Sequence, residues 1–149
     1  MPILNRQLTP NISLYELLFP FTVNKAEILP FIEQAWSIEI DRNLTRVATA
    51  LQIIRDYFGK PVIITSGYRP VAWEIKQGRK GGSQHTTGLA VDFYVVGVPL
   101  QEVYNFIGYF TGTPPKWNGG IFKQGGRAIN PKAKFIHLDL RPDYATWSY

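Results

Sequence analysis

There is no cysteine among the 149 residues, and that one absence removes disulfides, Cys-based zinc fingers, iron–sulfur clusters and thiol nucleophiles together. Histidine is scarce as well. With two in the chain, any metal must be held by those two and by Asp or Glu. No uninterrupted apolar run reaches the roughly 18 residues that a bilayer span needs. Met1 to Asn11 lacks a charged stretch followed by an apolar one, so no secretory signal is expected and synthesis in the cytoplasm is. Dense clusters of Lys and Arg interleaved with stacking aromatics are missing too. The tightest basic group, Lys76, Arg79 and Lys80, reads as a solvated loop rather than a phosphate-binding patch, and no nucleic acid is expected as partner. Internal repeats, low-complexity tracts and linkers are also lacking.

What is present describes a well-cored chain. Hydrophobic residues make up 45% and aromatic residues 14%, against 18% charged, which argues against disorder. At this length about two-thirds of the unfolded surface can be buried, so one domain over residues 1–149 is expected. The net charge of +5 is mild and suits an anionic partner without naming it.

Ser13-Leu14-Tyr15-Glu16 has the pattern of a capping box, predicting a short helix from Ser13 that stops before Pro20. Pro30 to Trp36 reads as a helical turn or two. Leu44, Val47, Leu51, Ile54 and Phe58 recur at three- and four-residue steps, so a helix is expected from about Ile38 to Phe58 with Gly59 as its stop. Pro61 to Ser66 is β-branched and short, the mark of a buried strand. Gly67 to Gly88 reads as a long loop anchored by Trp73 and Ile75, and loops of that length are often functional. Leu89 to Val96 reads as a second strand. Pro99 opens a helix with Leu100, Val103, Tyr104, Ile107 and Phe110 on one face; Thr111 to Gly120 is turn-rich, and Gly119 to Phe122 reads as a short strand.

Phe135 to Arg141 alternates. Ile136, Leu138 and Leu140 belong to a core face, which leaves Phe135, His137, Asp139 and Arg141 on the other. A His, an Asp and an Arg on one face of a rigid strand is where a site is built. The whole reads as an α+β fold, a small antiparallel sheet with helices packed against it.

Both histidines stand in unusual company. His85 sits where a Gly-flanked loop enters a strand, and Asp92 lies within that strand among Leu89, Ala90, Val91 and Phe93. A carboxylate there is costly unless a cation or several donors meet it. His85, Asp92 and His137 would give a divalent metal three N/O ligands and leave one position open, the layout of a catalytic rather than a structural zinc site.

Ser66-Gly67-Tyr68-Arg69, then Ser83-x-His85-x-x-Gly88-x-Ala90-x-Asp92, then His137-x-Asp139 resemble the zinc D,D-carboxypeptidase/endopeptidase family of peptidoglycan hydrolases, peptidase family M15, which shares its fold with the hedgehog signalling domain. The likeness is strongest over Val62–Phe93 and Trp117–Trp147, and Asn11 to Glu16 resembles the opening helix of one subgroup. The resemblance implies zinc (Zn2+) on His85, Asp92 and His137. It implies that Arg69 binds a substrate carboxylate or stabilises the oxyanion, with Tyr68 and Ser83 also toward the substrate and Gly88 turning His85 towards Asp92. The reaction implied is metal-assisted hydrolysis of a peptide bond in bacterial peptidoglycan, carboxypeptidase-like or endopeptidase-like; zinc would lower the pKa of its water and polarise the carbonyl. Separately, a monomer is expected.

Two departures stand out. Much of the family places an acid three residues before the last ligand His, and this chain has Lys134 there. The nearest acid on His137's face is Asp139, about 6.6 Å along the strand. It is either the general base or a partner of His137, Arg141 or Arg69. The family's usual Asn near residue 74 is replaced by Trp73-Glu74. A non-catalytic zinc module recognising cell wall or a protein is the alternative; an iron oxygenase is not expected, since its second His comes well downstream and ten residues follow Asp139. Action at the cell wall without a visible leader would be reconciled by phage-type release, by a role as a phage structural component, or by an incomplete gene start.

Overall fold

The computed structural model of the chain describes residues 3–111, 125–141 and 145–149. Seven strands and five α-helices are described: β1 Gln7–Thr9, β2 Ile12–Ser13, α1 Leu14–Leu18, α2 Lys25–Ala35, α3 Ile38–Phe58, β3 Val62–Ser66, α4 Val71–Lys76, β4 Ala90–Val95, α5 Leu100–Thr111, β5 Gly126–Asn130, β6 Phe135–Asp139 and β7 Ala145–Ser148. A single 3-10 turn, Gln84–Thr87, precedes β4. The strand expected at Gly119–Phe122 and the turns beyond Thr111 lie outside the described residues. No helix among the described residues is long and apolar enough to cross a membrane.

Local chemistry accounts for the helix boundaries. Ser13 and Glu16 form the reciprocal capping box, each side chain bonding the other's backbone N–H. In α3 the Ser37 hydroxyl accepts from Ile40 N–H, and Gly59 ends the helix at φ 66°, a left-handed conformation that glycine adopts without steric cost. Helix α2 is longer than the sequence suggested. Asn24 caps it one turn and more before Pro30, which sits inside the helix rather than at its start.

Five strands form the main sheet in the order β3-β4-β6-β5-β7. Neighbours are antiparallel except β5 and β7, which run parallel, so the sheet is mixed rather than wholly antiparallel. The core face of the sheet carries Val62, Ile64, Val91, Phe93, Ile136 and Leu138. Helices α3 and α5 cover it with Leu44, Val47, Leu51, Ile54, Val103 and Ile107, each at most 1% exposed. Burying each such Leu, Ile or Val side chain contributes about 1.5–3 kcal/mol, which is why the helical stripes were readable in the sequence. Ile75 is exposed, so of the two expected loop anchors Trp73 alone is buried.

The loop between β3 and β4 is not loose. It holds α4 and the 3-10 turn, and its start is pinned where Tyr68 N–H donates to Leu17 O at 2.9 Å. Gly67 makes that approach possible, because a Cβ there would stand 2.0 Å from Leu17 O. Overpacking against backbone cannot be relieved by a rotamer change. Gly67→Ala should therefore cost about 3 kcal/mol and lower the thermal midpoint by roughly 6–12 °C. Thermal denaturation followed by circular dichroism checks this; an unchanged midpoint would mean the two segments do not approach so closely.

Candidate metal centre

The site grows out of one lateral row of the sheet. Asp92 of β4 lies directly opposite His137 of β6 on one side and Ser66 of β3 on the other. His137 lies opposite Ala128, which in turn faces Trp147. Ser66 reaches this face through a register shift between Ile64 and Ser66, the kind of bulge that re-aims a side chain. Without it, Ser66 would share the core parity of Val62 and Ile64. Ala128 leaves room for the Trp147 ring to come within 4.9 Å of His137.

His85 arrives from outside the sheet. The 3-10 turn that carries it is closed by Gly88, at φ 80°, whose N–H caps the turn on Gln84 and His85 carbonyls. His85 Nδ1 lies 2.8 Å from Gly67 O, and since a carbonyl can only accept, Nδ1 bears the proton there. That leaves Nε2 facing Asp92 Oδ1 at 3.4 Å. His137 Nδ1 is 2.8 Å from the same oxygen, and its Nε2 is 2.8 Å from Asp139 Oδ2. One ligand atom from each of His85, Asp92 and His137 lies within 4.8 Å of the other two, and all three residues are buried.

The electrostatics match the geometry. Burial works against charge on Asp92, but hydrogen bonds from His137 and His85 and their positive charge outweigh it and hold the carboxyl well below the usual carboxylate range. His137 moves the other way: burial disfavours its cation, yet Asp139 and Asp92 together raise its pKa. Two buried imidazoles converging on one buried carboxylate oxygen form a donor set that suits a divalent cation. Each His has its remote nitrogen fixed by a carbonyl or a carboxylate, as in metal sites generally. The residues present therefore fit zinc, and could hold it through His85, Asp92 and His137.

The remaining expected site residues divide. Arg69 is at the site. Its Nε donates to Glu74 Oε1 at 2.9 Å, its Nη1 to Ser66 Oγ at 2.8 Å and its backbone N–H to His85 O at 3.1 Å. Ser83 lines the same cavity of about 350 Å³ as the three metal-facing residues, at its exposed edge. Tyr68 is not there. It is 2% exposed, packs against Trp36 and belongs to the core, so its place beside Arg69 in sequence does not bring it to the substrate side.

Asp139 is fully buried, with no exposed surface. Its Oδ1 accepts from Gly126 N–H at 3.0 Å and Arg141 Nε at 2.7 Å, and its Oδ2 from Arg141 Nη2 at 2.7 Å besides facing His137 Nε2. Although burial opposes ionisation, His137 and Arg141 keep its carboxyl well below the usual range. This geometry fits the expected partnership with His137 and Arg141. It does not fit a base at the metal's water, because Nε2 is the nitrogen remote from Asp92.

Sequence reasoning missed three contributors. Glu74, 1% exposed, is the acid behind Arg69, while Trp147 lies against His137 and both Trp147 and Tyr149 line the small cavity. A buried acid beside two arginines in the loop, Arg69 and Arg79, was the available signal for Glu74.

Two outcomes follow from this geometry. The chain should bind one divalent cation, and His137→Ala should abolish it while the fold persists, read by metal analysis beside a thermal scan. Burial pushes the Tyr68 phenol up to about 12 from its ordinary 10.0. The stability this contributes is fully present below pH 10 and lost as the pH rises towards 12, since only the unfolded chain ionises easily there. Tyr68→Phe should thus flatten the alkaline fall in unfolding free energy between pH 10 and 12, with metal content unchanged.

No match is found among curated proteins or solved structures. A family model described as Peptidase M15 matches residues 24–139, a span that contains His85, Asp92 and His137 and ends on Asp139. The chain belongs to the peptidase M15 family.

Proposed function

We propose that this chain is a zinc-dependent hydrolase of a peptide bond in bacterial peptidoglycan, acting as a monomer. Family membership supports a peptidase, and the observation that carries the reading further is the meeting of His85, Asp92 and His137 around one carboxylate oxygen beside an open cavity. A zinc ion held there supplies Lewis acidity, acidifying water and polarising the scissile carbonyl.

The chain's own residues divide the remaining work. Arg69, tethered through Nε, Nη1 and its backbone N–H, has its Nη2 free of hydrogen bonds to described residues. A guanidinium held that firmly suits a substrate carboxylate or the oxygen of the scissile carbonyl as charge develops. Ser83 edges the entrance. Asp139 acts through His137: by accepting from Nε2 it fixes which nitrogen faces Asp92, and Arg141 holds Asp139 in turn. Tyr149 lines the cavity, where burial and then the charge of Asp92 raise its pKa.

A second reading has one observation in its favour. Among the described residues lining the small cavity, Asp92 is the sole side-chain carboxylate, so none of them is a free acid placed to serve as a general base. A zinc-holding module that binds wall peptide without cutting it would look the same.

Purified wall sacculi decide between them. The zinc-loaded chain should release soluble fragments identifiable by mass, and a chelated control should release none. Binding to sacculi without release would establish the module instead. Within the hydrolase reading, Arg69→Lys keeps the charge but loses the two-pronged donor geometry, so turnover should fall by about 10²-fold with metal retained. Asp139→Asn separates the two roles weighed for that residue. A positioning residue should cost roughly 10–100-fold in metal affinity, whereas a general base would leave affinity intact and cost about 10²–10⁴-fold in rate.

A further inference from the structure

A second and larger cavity, of about 1310 Å³, adjoins the metal centre and shares Arg69, Asp92 and Phe135 with the small one. Its walls include Phe21, Trp73, Val98 and Leu100, so an occupant with apolar stems is accommodated. Its charges are unevenly spread. Arg69, Arg79 and Lys134 line it, against Glu27 and Asp92, and Asp92 is committed to the two imidazoles.

Arg79 lines this cavity with its side chain 47% exposed, and it is anchored there by Glu74. Its Nε donates to Glu74 Oε2 at 2.5 Å and its backbone N–H donates to Glu74 O at 2.8 Å. Glu74 is the same buried acid that holds Arg69 through its other oxygen. One carboxylate therefore grips two guanidinium groups side by side. Arg69 alone would neutralise Glu74, so Arg79 is a surplus positive charge, and its Nη groups make no hydrogen bond to the described residues. Lys134 adds another. It is exposed, in a left-handed turn at φ 62° where β5 leads into β6. The basic group that read as a solvated loop in the sequence thus places Arg79 at a preorganised position.

We propose that Arg79, with Lys134, forms a second anion subsite that reads a side-chain carboxylate of the substrate peptide, apart from the group bound at Arg69. The planar fork of Arg79, with its Nε anchored and its Nη groups free, suits a carboxylate. The proposal rests on the peptide-hydrolase reading for the class of its ligand.

The test uses the full zinc-loaded chain and a wall stem peptide carrying free side-chain carboxylates, alongside versions in which each carboxylate is converted singly to the amide. Calorimetric titration gives affinity, and mass analysis of the same samples shows whether hydrolysis occurs; where it does, kcat/KM replaces affinity as the readout. The free acid should be preferred over one of the amides by about tenfold. Arg79→Gln should bring that preference close to unity. Lys134→Gly removes the other charge at a position where glycine relieves the backbone, so its folding is secure, and it should reduce the preference in part.

Equal treatment of acid and amides by the unmodified chain, or a preference that survives in both variants, would overturn the subsite. Preference without hydrolysis would overturn the hydrolase reading and leave the subsite standing. Hydrolysis without preference would do the reverse, and an absence of both would remove both.

Discussion

Asp92 stands on the second strand of the main sheet, flanked by Val91 and Phe93, and an ionised carboxylate at that depth is tolerable only if cations or donors surround it. The cross-strand register supplies them. His137 lies opposite on β6, and His85 descends from the turn before β4. Core and site specify each other through this register. Val91, Phe93, Ile136 and Leu138 fix which residues face the helices, and a slip by one position would turn His137 into the core and Ile136 to the site. Substitutions that loosen the apolar face therefore also disturb the His85, Asp92 and His137 cluster.

Behind His137 the structure spends a second buried carboxylate. Asp139 neighbours the imidazole on its remote side, and Arg141 compensates its charge through two hydrogen bonds at 2.7 Å. Room for that carboxylate depends on Gly126, where a Cβ would stand 2.5 Å from Asp139 Oδ2. The arrangement orients a ligand from behind, and it explains why an acid on the correct strand face is not thereby an acid at the water. Strand alternation reports which face a side chain takes, not which of its neighbour's nitrogens it meets.

That distinction sets how much was legible in the sequence. Helices α3 and α5, strands β3, β4 and β6 and the capping box are local patterns, written in periodicity and alternation, and they appear where those patterns lie. The cluster of His85, Asp92 and His137 was legible because scarcity of histidine left few alternatives. Strand β5 was not, since Gly126, Arg127 and Ala128 lack β-branched side chains and take their conformation from the neighbours they pair with. Parallel pairing of β7 with β5 is likewise a tertiary fact with no local signature. Tyr68 shows the converse error: it adjoins Arg69 in sequence, but the chain turning at Gly67 sends one side chain into the core and the next to the cavity.

The two departures from the family pattern, Glu74 and Lys134, turn out to act on the same property. Glu74 is buried behind the cavity wall, where its charge is consumed in holding Arg69 and Arg79. Lys134 occupies the position at which the resemblance leads one to look for an acid. It lies outside β6, in a turn where Ala133 N–H donates to Asn130 Oδ1. A side chain with φ near 62° there costs about 1–2 kcal/mol relative to glycine. An acid at that turn would bring a negative charge to the cavity that Arg69 and Arg79 line. A lysine adds to them instead. Part of the mild excess of basic residues noted at the level of composition, Arg69, Arg79 and Lys134, thus lines one cavity beside the candidate metal centre.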